Sequence, residues 1–176
     1  MLGGFVGDLE KGDVFEPVEY VITPFMASEY AHGVEENDER FHASAGPDGR
    51  QIRPPTMVHV DKMRLLEQNC PKEKRMSGQQ APDARIHFEY HARHHSVAYV
   101  GERIVVSGMI TDRYLKRGRT YIDYAIEVRT SDGRLITTYT DRTLLKYRGG
   151  AQQGAQSAPQ QQAQQQQAVQ QQEAQR

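Results

Sequence analysis

Four strand-like runs fill the second half of the globular sequence, and they constrain the fold more than any other feature. In the first run, apolar and polar residues alternate over 86–93, as side chains do on the two faces of a β-strand. The other runs are Arg103–Thr111, Tyr121–Thr130 and Leu135–Tyr147. Ser131–Arg134 predicts a hairpin turn, because its glycine readily takes a positive φ. Arg113–Arg119 is predicted to be a second hairpin loop. These runs predict an antiparallel sheet.

A strand and a helix are predicted ahead of these runs. The strand covers Val14–Ile22, in which Val18, Tyr20 and Ile22 alternate with Glu19 and Val21. The helix runs from Pro24 to about Val34, and the Thr23 hydroxyl can cap its first turn. Its predicted apolar face consists of Phe25, Tyr30 and Val34.

A second, shorter helix is predicted to begin with Thr56 as its cap and to stop at Cys70-Pro71. Its predicted apolar stripe consists of Met57, Val60 and Met63, with Leu66 nearby. The polar segment Lys72–Asp83 predicts a surface loop, since it contains a glycine and a proline.

This order of elements points to one architecture. The longer helix, 24–34, is the natural cover for the apolar face of the antiparallel sheet. A curved antiparallel sheet wrapped around a central helix is the hot-dog fold, an α+β class. Because the edge strands of such a sheet are usually paired or covered, we expect a dimer.

Composition divides the chain into a single domain, residues 1–148, and a tail, residues 149–176. The tail is dominated by Gln and Ala and contains one valine and no aromatic residue. Such a segment cannot bury enough apolar surface to offset its chain entropy, so we predict that it is disordered.

Charge, cysteine content and hydropathy narrow the functional classes. A formal net charge of −1 predicts no nucleic-acid partner. The single cysteine, Cys70, allows no internal disulfide and suits a reducing cytoplasm. No apolar run approaches the roughly 20 residues of a membrane span. In a strand, His87 and His91 would share one face but lie about 13 Å apart, so we predict no metal site.

Several sequence pieces occur together in one known family. They are Gly12-Asp13, Tyr30-Ala31, Val34–Asp38, Pro54–Met57, Gly101-Glu102 and Asp132-Gly133. In order and spacing, they resemble the MaoC-like hot-dog hydratases and dehydratases of acyl thioesters, over nearly the whole globular part. The most similar branch is the N-terminal half of double-hot-dog dehydratases.

The resemblance implies where an active site would lie. Active members carry D-x-N-P-x-H after the helix, in which the histidine moves a proton and the carboxylate orients a water molecule. In one register His42 takes the histidine position and Asn37 replaces the aspartate. In the other, Glu36 supplies the carboxylate, Asp38 takes the asparagine place and Phe41 replaces the histidine. Neither register keeps the complete pair. Our candidate acid/base is His42, with Glu36, Asn37 and Asp38 beside it.

The substrate site is implied in the same way. Pro55, Thr56 and Met57 stand at the start of the second helix, where backbone N–H groups can polarise a thioester carbonyl. Arg117, at the tip of a basic hairpin, is a candidate contact for the phosphates of coenzyme A, from this subunit or its dimer mate. The alternative is that this tip is simply solvated.

Three functions are compatible with these residues. The leading prediction is a hydratase or dehydratase of enoyl or 3-hydroxyacyl thioesters, linked to coenzyme A or to a carrier protein, with no cofactor. The second is a non-catalytic hot-dog subunit that shapes an acyl tunnel and pairs with a catalytic partner. The third is a thioesterase. The partner is predicted to be a second copy or another hot-dog subunit.

Overall fold

The computed structural model of the protein describes residue 2, residues 4–70 and residues 83–147. The predicted tail, and all of the predicted loop 72–83 except Asp83, lie outside the described residues. The helices are α1 (Pro24–Gly33), α2 (Glu39–His42) and α3 (Val58–Asn69). The strands are β1 (Val18–Val21), β2 (Asp83–His94), β3 (Arg103–Lys116), β4 (Arg119–Thr130) and β5 (Leu135–Tyr147).

The described strands form one antiparallel sheet in the order β1-β3-β4-β5-β2. This confirms the predicted antiparallel sheet, although β1 is shorter than the predicted strand. The predicted loop Arg113–Arg119 is wrong, because Lys116 pairs with Arg119 and both strands continue to a two-residue turn. Arg117 and Gly118 in that turn have φ of 51° and 70°, as such tight hairpins require.

The helix in the core of the sheet is α3, which corrects the prediction that helix 24–34 has this place. Val58, Leu65 and Leu66 of α3 are buried in the main core with residues of β3, β4 and β5. In α1 only Ala27 and Ala31 are buried, whereas Phe25 is 72% exposed. Phe25 and Val34 of the predicted apolar face are therefore exposed, and α1 buries its two alanines instead.

The buried face of α3 is also rotated from the predicted stripe, since Met63 is 45% exposed. The side chains that face inward include three polar ones. They are Asp61, Lys62 and Asn69. These polar residues within the buried face explain why an apolar pattern did not identify α3 as the central helix.

The packing of β4 and α3 around Gly108 of β3 leaves no room for a side chain there. A Cβ there would lie 2.8 Å from the Ala125 carbonyl oxygen and 3.2 Å from Leu65 Cδ2. We expect Gly108→Ala to lower the free energy of unfolding by about 1–3 kcal/mol, as overpacking does. Urea denaturation measures the change. The matched control is Gly33→Ala at the end of α1, where a Cβ meets nothing within 4 Å. Equal losses in both variants would contradict this close packing around Gly108.

Candidate active site

The loop that follows α1 brings together the four residues predicted to carry the chemistry. A turn at Glu35, with φ of 58°, lets the Glu36 N–H donate to the Ala31 carbonyl at 2.8 Å. Asp38 then caps α2, because its carboxylate accepts the Arg40 N–H at 3.0 Å. Hydrogen bonds from the Arg40 side chain and backbone lower the pKa of Asp38 to about 2. Asp38 is therefore ionised and occupied by its own capping contacts.

His42 contacts a backbone group of this loop. Its Nε2 lies 2.6 Å from the Glu36 carbonyl oxygen, which can only accept, so Nε2 carries the proton. The Glu36 carboxylate accepts the Asp38 N–H at 3.0 Å. The Asn37 amide donates to the Glu35 carbonyl at 3.3 Å. The loop thus assembles all four residues, but the hydrogen bond of His42 is to a carbonyl rather than to a carboxylate.

Phe41, the neighbour of His42, faces the opposite way. It is buried against Ala31 and Ile52, with Tyr99 packed on the same cluster, while His42 is exposed. In the second of the two registers, the position of the family's histidine is therefore taken by a side chain that points into the protein.

A cavity of about 440 Å³ lies where α2, the turn Pro55–Met57 and the end of β2 meet. Its apolar lining residues are Phe41, Ile52, Pro55, Val97, Ala98 and Ile136. Its polar lining residues are Arg40, Arg53, His94, His95, Ser96 and Thr137. One cavity therefore offers an apolar wall together with basic side chains.

The positive charge in this cavity wall is fixed in place. The Arg53 guanidinium is buried and paired with the buried Asp61 of α3, whose other oxygen accepts the Tyr20 hydroxyl. Burial, followed by the Asp61 charge, raises the pKa of Tyr20, so the hydroxyl stays protonated. Burial, then the nearby charge of Arg53, lowers the pKa of His94, which is neutral at pH 7. Its Nδ1 lies 3.1 Å from the Thr137 hydroxyl.

Sequence patterns did not single out Arg53 or His94 as site residues. Arg53 stands next to two prolines in an irregular segment, and its partner Asp61 belongs to a helix that packs on the sheet. Only a search for charges that would be buried on folding could have marked them, and burial depends on the tertiary structure.

The predicted substrate-contact residues are divided between two places. Pro55 lines the cavity. The Thr56 carbonyl accepts the Tyr30 hydroxyl at 2.9 Å, and Met57 is buried, so these two support the turn. Thr56 does not cap α3, whose capping residue is Met57. Arg117 lies in the β3–β4 turn, outside the lining of this cavity.

Comparison with known structures identifies the architecture. The structure is similar to the C-terminally truncated HadBC (3R-hydroxyacyl-ACP dehydratase) complex from Mycobacterium tuberculosis, with a TM-score of 0.61 and 13% identity over 77% of this chain and 96% of that chain. The chain has the hot-dog fold. This confirms the predicted α+β class. No protein-family model matches the sequence, and no curated protein matches it.

Two further hot-dog structures show the same likeness. The (R)-hydratase from A. caviae involved in PHA biosynthesis has a TM-score of 0.58 and 15% identity, over 77% of this chain and 96% of that chain. The MaoC-like dehydratase from Rhodospirillum rubrum has a TM-score of 0.58 and 14% identity, over 82% and 97%. The fold is thus that of MaoC-like proteins, as the sequence resemblance implies.

The described residues contain neither a membrane-spanning helix nor a metal-binding cluster. No described helix has both the length and the apolar character that crossing a membrane requires. Among the described residues, no group of three or more His, Cys, Asp or Glu side chains has a metal-binding arrangement.

Proposed function

We propose that this hot-dog protein hydrates 2-enoyl thioesters, or dehydrates 3-hydroxyacyl thioesters, carried by coenzyme A or by a carrier protein. The observation that carries the proposal is the cavity at the start of α3, which pairs an apolar wall with the buried cation Arg53. An acyl chain suits the wall. The thioester oxygen gains negative charge as the C2 proton moves, and N–H donors of the wall such as those of Arg53, which is paired with Asp61, stabilise it. The hydratases and dehydratases among the similar structures agree with this function.

We also propose that the protein pairs with a second hot-dog subunit. β2 is a long edge strand, and it exposes Ile86, Phe88 and Tyr90. A long apolar edge is normally paired or covered. The similar HadBC structure is a complex. We infer that the β2 edge pairs with a second copy or with another hot-dog subunit, in the cytoplasm.

The non-catalytic subunit is the second candidate function, and one observation favours it. Phe41, at the family's histidine position in one register, lines the cavity with an apolar ring, and His42 contacts a carbonyl oxygen. The assignment of His42 as acid/base, with Glu36, Asn37 and Asp38 beside it, stays a prediction. A protein without its own acid/base would still shape the cavity for a catalytic partner.

The reaction is tested with purified protein and a series of 2-enoyl-CoA thioesters of increasing chain length. Hydration removes the conjugated enoyl absorbance, which is the result we expect. Activity that appears only when a co-purifying hot-dog partner is added would support the subunit function instead. Release of free thiol would contradict both and favour a thioesterase.

The cavity is tested by filling it from its rim. Val97 lines the cavity and is 41% exposed, so a larger side chain there need not disturb the core. We expect Val97→Trp to lower kcat/KM for long-chain enoyl-CoA by about tenfold or more, through loss of 1.4 kcal/mol or more of transition-state binding. The matched control is Val34→Trp, at an exposed site just after α1 and outside the cavity lining. Equal rates for the two variants would exclude this cavity as the acyl site.

A further inference from the structure

A second group of titratable side chains lies between α3 and the end of the sheet formed by β5 and β2. At its centre is Asp141 of β5, whose carboxylate is fully buried. One oxygen accepts from the Lys62 ammonium and, at 2.7 Å, from the Thr143 hydroxyl. The other accepts the Tyr139 hydroxyl at 2.7 Å and lies 2.6 Å from His87 Nδ1. Four donors thus converge on one buried carboxylate.

This carboxylate is ionised. Burial acts to raise the pKa of Asp141, but the Lys62 charge and the hydrogen bonds from Lys62, Tyr139 and Thr143 hold it below its usual value. Because Lys62 already balances the charge of Asp141, His87 is not required as a counter-ion. The contact instead orients the imidazole, since an ionised carboxylate can only accept. Nδ1 of His87 therefore carries a proton, and its Nε2 keeps a lone pair in the neutral ring.

A β-bulge in β2 determines which side chains face this group. The pairing of β2 with β5 shifts between His87 and Glu89, so one extra residue is inserted there. As a result His87 and Tyr90, three positions apart, both face α3, with ring centroids 5.3 Å apart. His91 lies on the opposite face, beside Glu89 at 3.1 Å. The prediction that His87 and His91 share a face is therefore wrong.

A second imidazole stands against His87. His59, in the first turn of α3, meets the His87 ring edge-on at a centroid distance of 4.9 Å. Its Nδ1 lies 3.2 Å from the Tyr139 hydroxyl, which itself donates to Asp141. Burial, followed by the electrostatic effect of the neighbouring His87, lowers the pKa of His59, so this ring is neutral at pH 7. A cavity of about 300 Å³ is lined by both histidines, together with Lys62, Met63, Leu66, Tyr124 and Thr143.

We propose that His87, positioned by Asp141, is the proton-transfer group of this protein, with an acyl thioester in the cavity beside it. The inference rests on the proposed reaction, and it places the acid/base and the reacting carbons in the His59–His87 cavity instead of in the 36–42 loop and the Arg53 cavity. In dehydration, Nε2 takes the C2 proton, and the C2–H electron pair becomes the C2=C3 double bond. The C3–O bond breaks with its electrons on oxygen. The same imidazole then passes the proton to the departing hydroxyl, which leaves as water.

Asp141 and His87 form a carboxylate–histidine pair in which the carboxylate positions the imidazole ring. A buried carboxylate fixes the tautomer and orientation of the ring, and histidine is the side chain suited to proton transfer near pH 7. The His87 side chain remains 39% exposed, so a substrate can reach it while Asp141 stays buried.

The test replaces His87 and measures the enoyl-CoA hydration rate. We expect His87→Ala to lower kcat by about 100-fold or more, the usual contribution of a general acid/base. Added imidazole should restore part of the rate, because the vacated site is open to solvent; a purely structural role would show no such rescue. The matched control is His91→Ala, on the same strand but the other face, which should keep the wild-type rate. A wild-type rate in His87→Ala, or a loss confined to His42→Ala, would overturn the proposal.

A second measurement separates failure of this inference from failure of the proposed function. Exchange of the C2 protons of butyryl-CoA in heavy water, followed by NMR, reports proton abstraction without hydration. Exchange that His87→Ala abolishes supports the role of His87 even if no enoyl-CoA is hydrated. Hydration that persists in His87→Ala would overturn the role of His87 and leave the proposed function intact. Absence of both exchange and hydration in the wild-type protein removes both.

Discussion

Asp141→Ala is expected to lower the free energy of unfolding by about 3–5 kcal/mol, because the variant leaves the Lys62 ammonium buried without its counter-charge. In the native protein both side chains are almost completely shielded from solvent. Urea denaturation gives the difference directly. The double variant Lys62→Met/Asp141→Leu, which removes both charges, should recover most of the loss.

The neighbouring ion pair on the outer face of the sheet supplies the control. Asp123 accepts two hydrogen bonds of 2.9 Å from Arg142, whose side chain is 37% exposed. Because solvent screens such a pair, Asp123→Ala should cost about 1 kcal/mol or less. Equal losses for Asp141→Ala and Asp123→Ala would contradict the burial of the Lys62–Asp141 pair.

The same pair predicts a pH dependence. The pKa of Asp141 is depressed in the folded protein, so its stabilising contribution is present above the pKa of the unfolded chain, about 3.9. The contribution is lost as the pH falls through the folded pKa. The stability difference between wild type and Asp141→Ala should therefore be full at neutral pH and shrink below about pH 4. A difference that is constant down to pH 2 would exclude this linkage.

Leu65→Ala is the second large effect, with an expected loss of about 2–5 kcal/mol in the free energy of unfolding. Leu65 is fully buried on the inner face of α3, so the substitution leaves a cavity at the centre of the core. Phe25→Ala in α1 removes a larger side chain, yet it should change stability by about 0.5 kcal/mol or less, because Phe25 is exposed. Urea unfolding of the two variants shows which helix contributes more to the free energy of unfolding. A larger loss of unfolding free energy in Phe25→Ala than in Leu65→Ala would contradict the assignment of α3 as the central helix.

The strands were predictable because their alternation is local. Ile122, Tyr124, Ile126 and Val128 alternate with polar, aromatic or small neighbours, and they are the buried apolar side chains of β4. Turn residues such as Gly133, with φ of 95°, mark the hairpins for the same reason. The antiparallel sheet therefore follows from short-range patterns.

The central helix and the His87 group were not predictable from such patterns. Asp61 and Lys62 appear in the sequence as a solvated face of α3, yet both are buried, because Arg53 and Asp141 neutralise them. These partners come from distant parts of the chain, and no local spacing connects them. The bulge that turns His87 toward Asp141 is likewise set by the pairing of β2 with β5.

In the loop of residues 35–42, the sequence motif did not determine which atoms are in contact. The family resemblance implied Glu36, Asn37, Asp38 and His42 as site residues, and hydrogen bonds within one loop connect them in the structure. Which atoms meet is decided by the positive φ at Glu35 and by the Asp38 cap of α2. The Glu36 carboxylate accepts the Asp38 N–H, and the Asp38 carboxylate accepts the Arg40 N–H. The His42 ring contacts the Glu36 carbonyl oxygen instead of a carboxylate.

The most direct test of the account follows a 2-enoyl-CoA by NMR in heavy water with the purified protein. Addition of water across the double bond places one deuterium at C2 and a hydroxyl group at C3. We predict the appearance of this C2-deuterated 3-hydroxyacyl-CoA, at a rate that His87→Ala reduces and His91→Ala does not. Free coenzyme A with an unsaturated acid, or unchanged enoyl-CoA across the chain-length series, would contradict the proposed reaction.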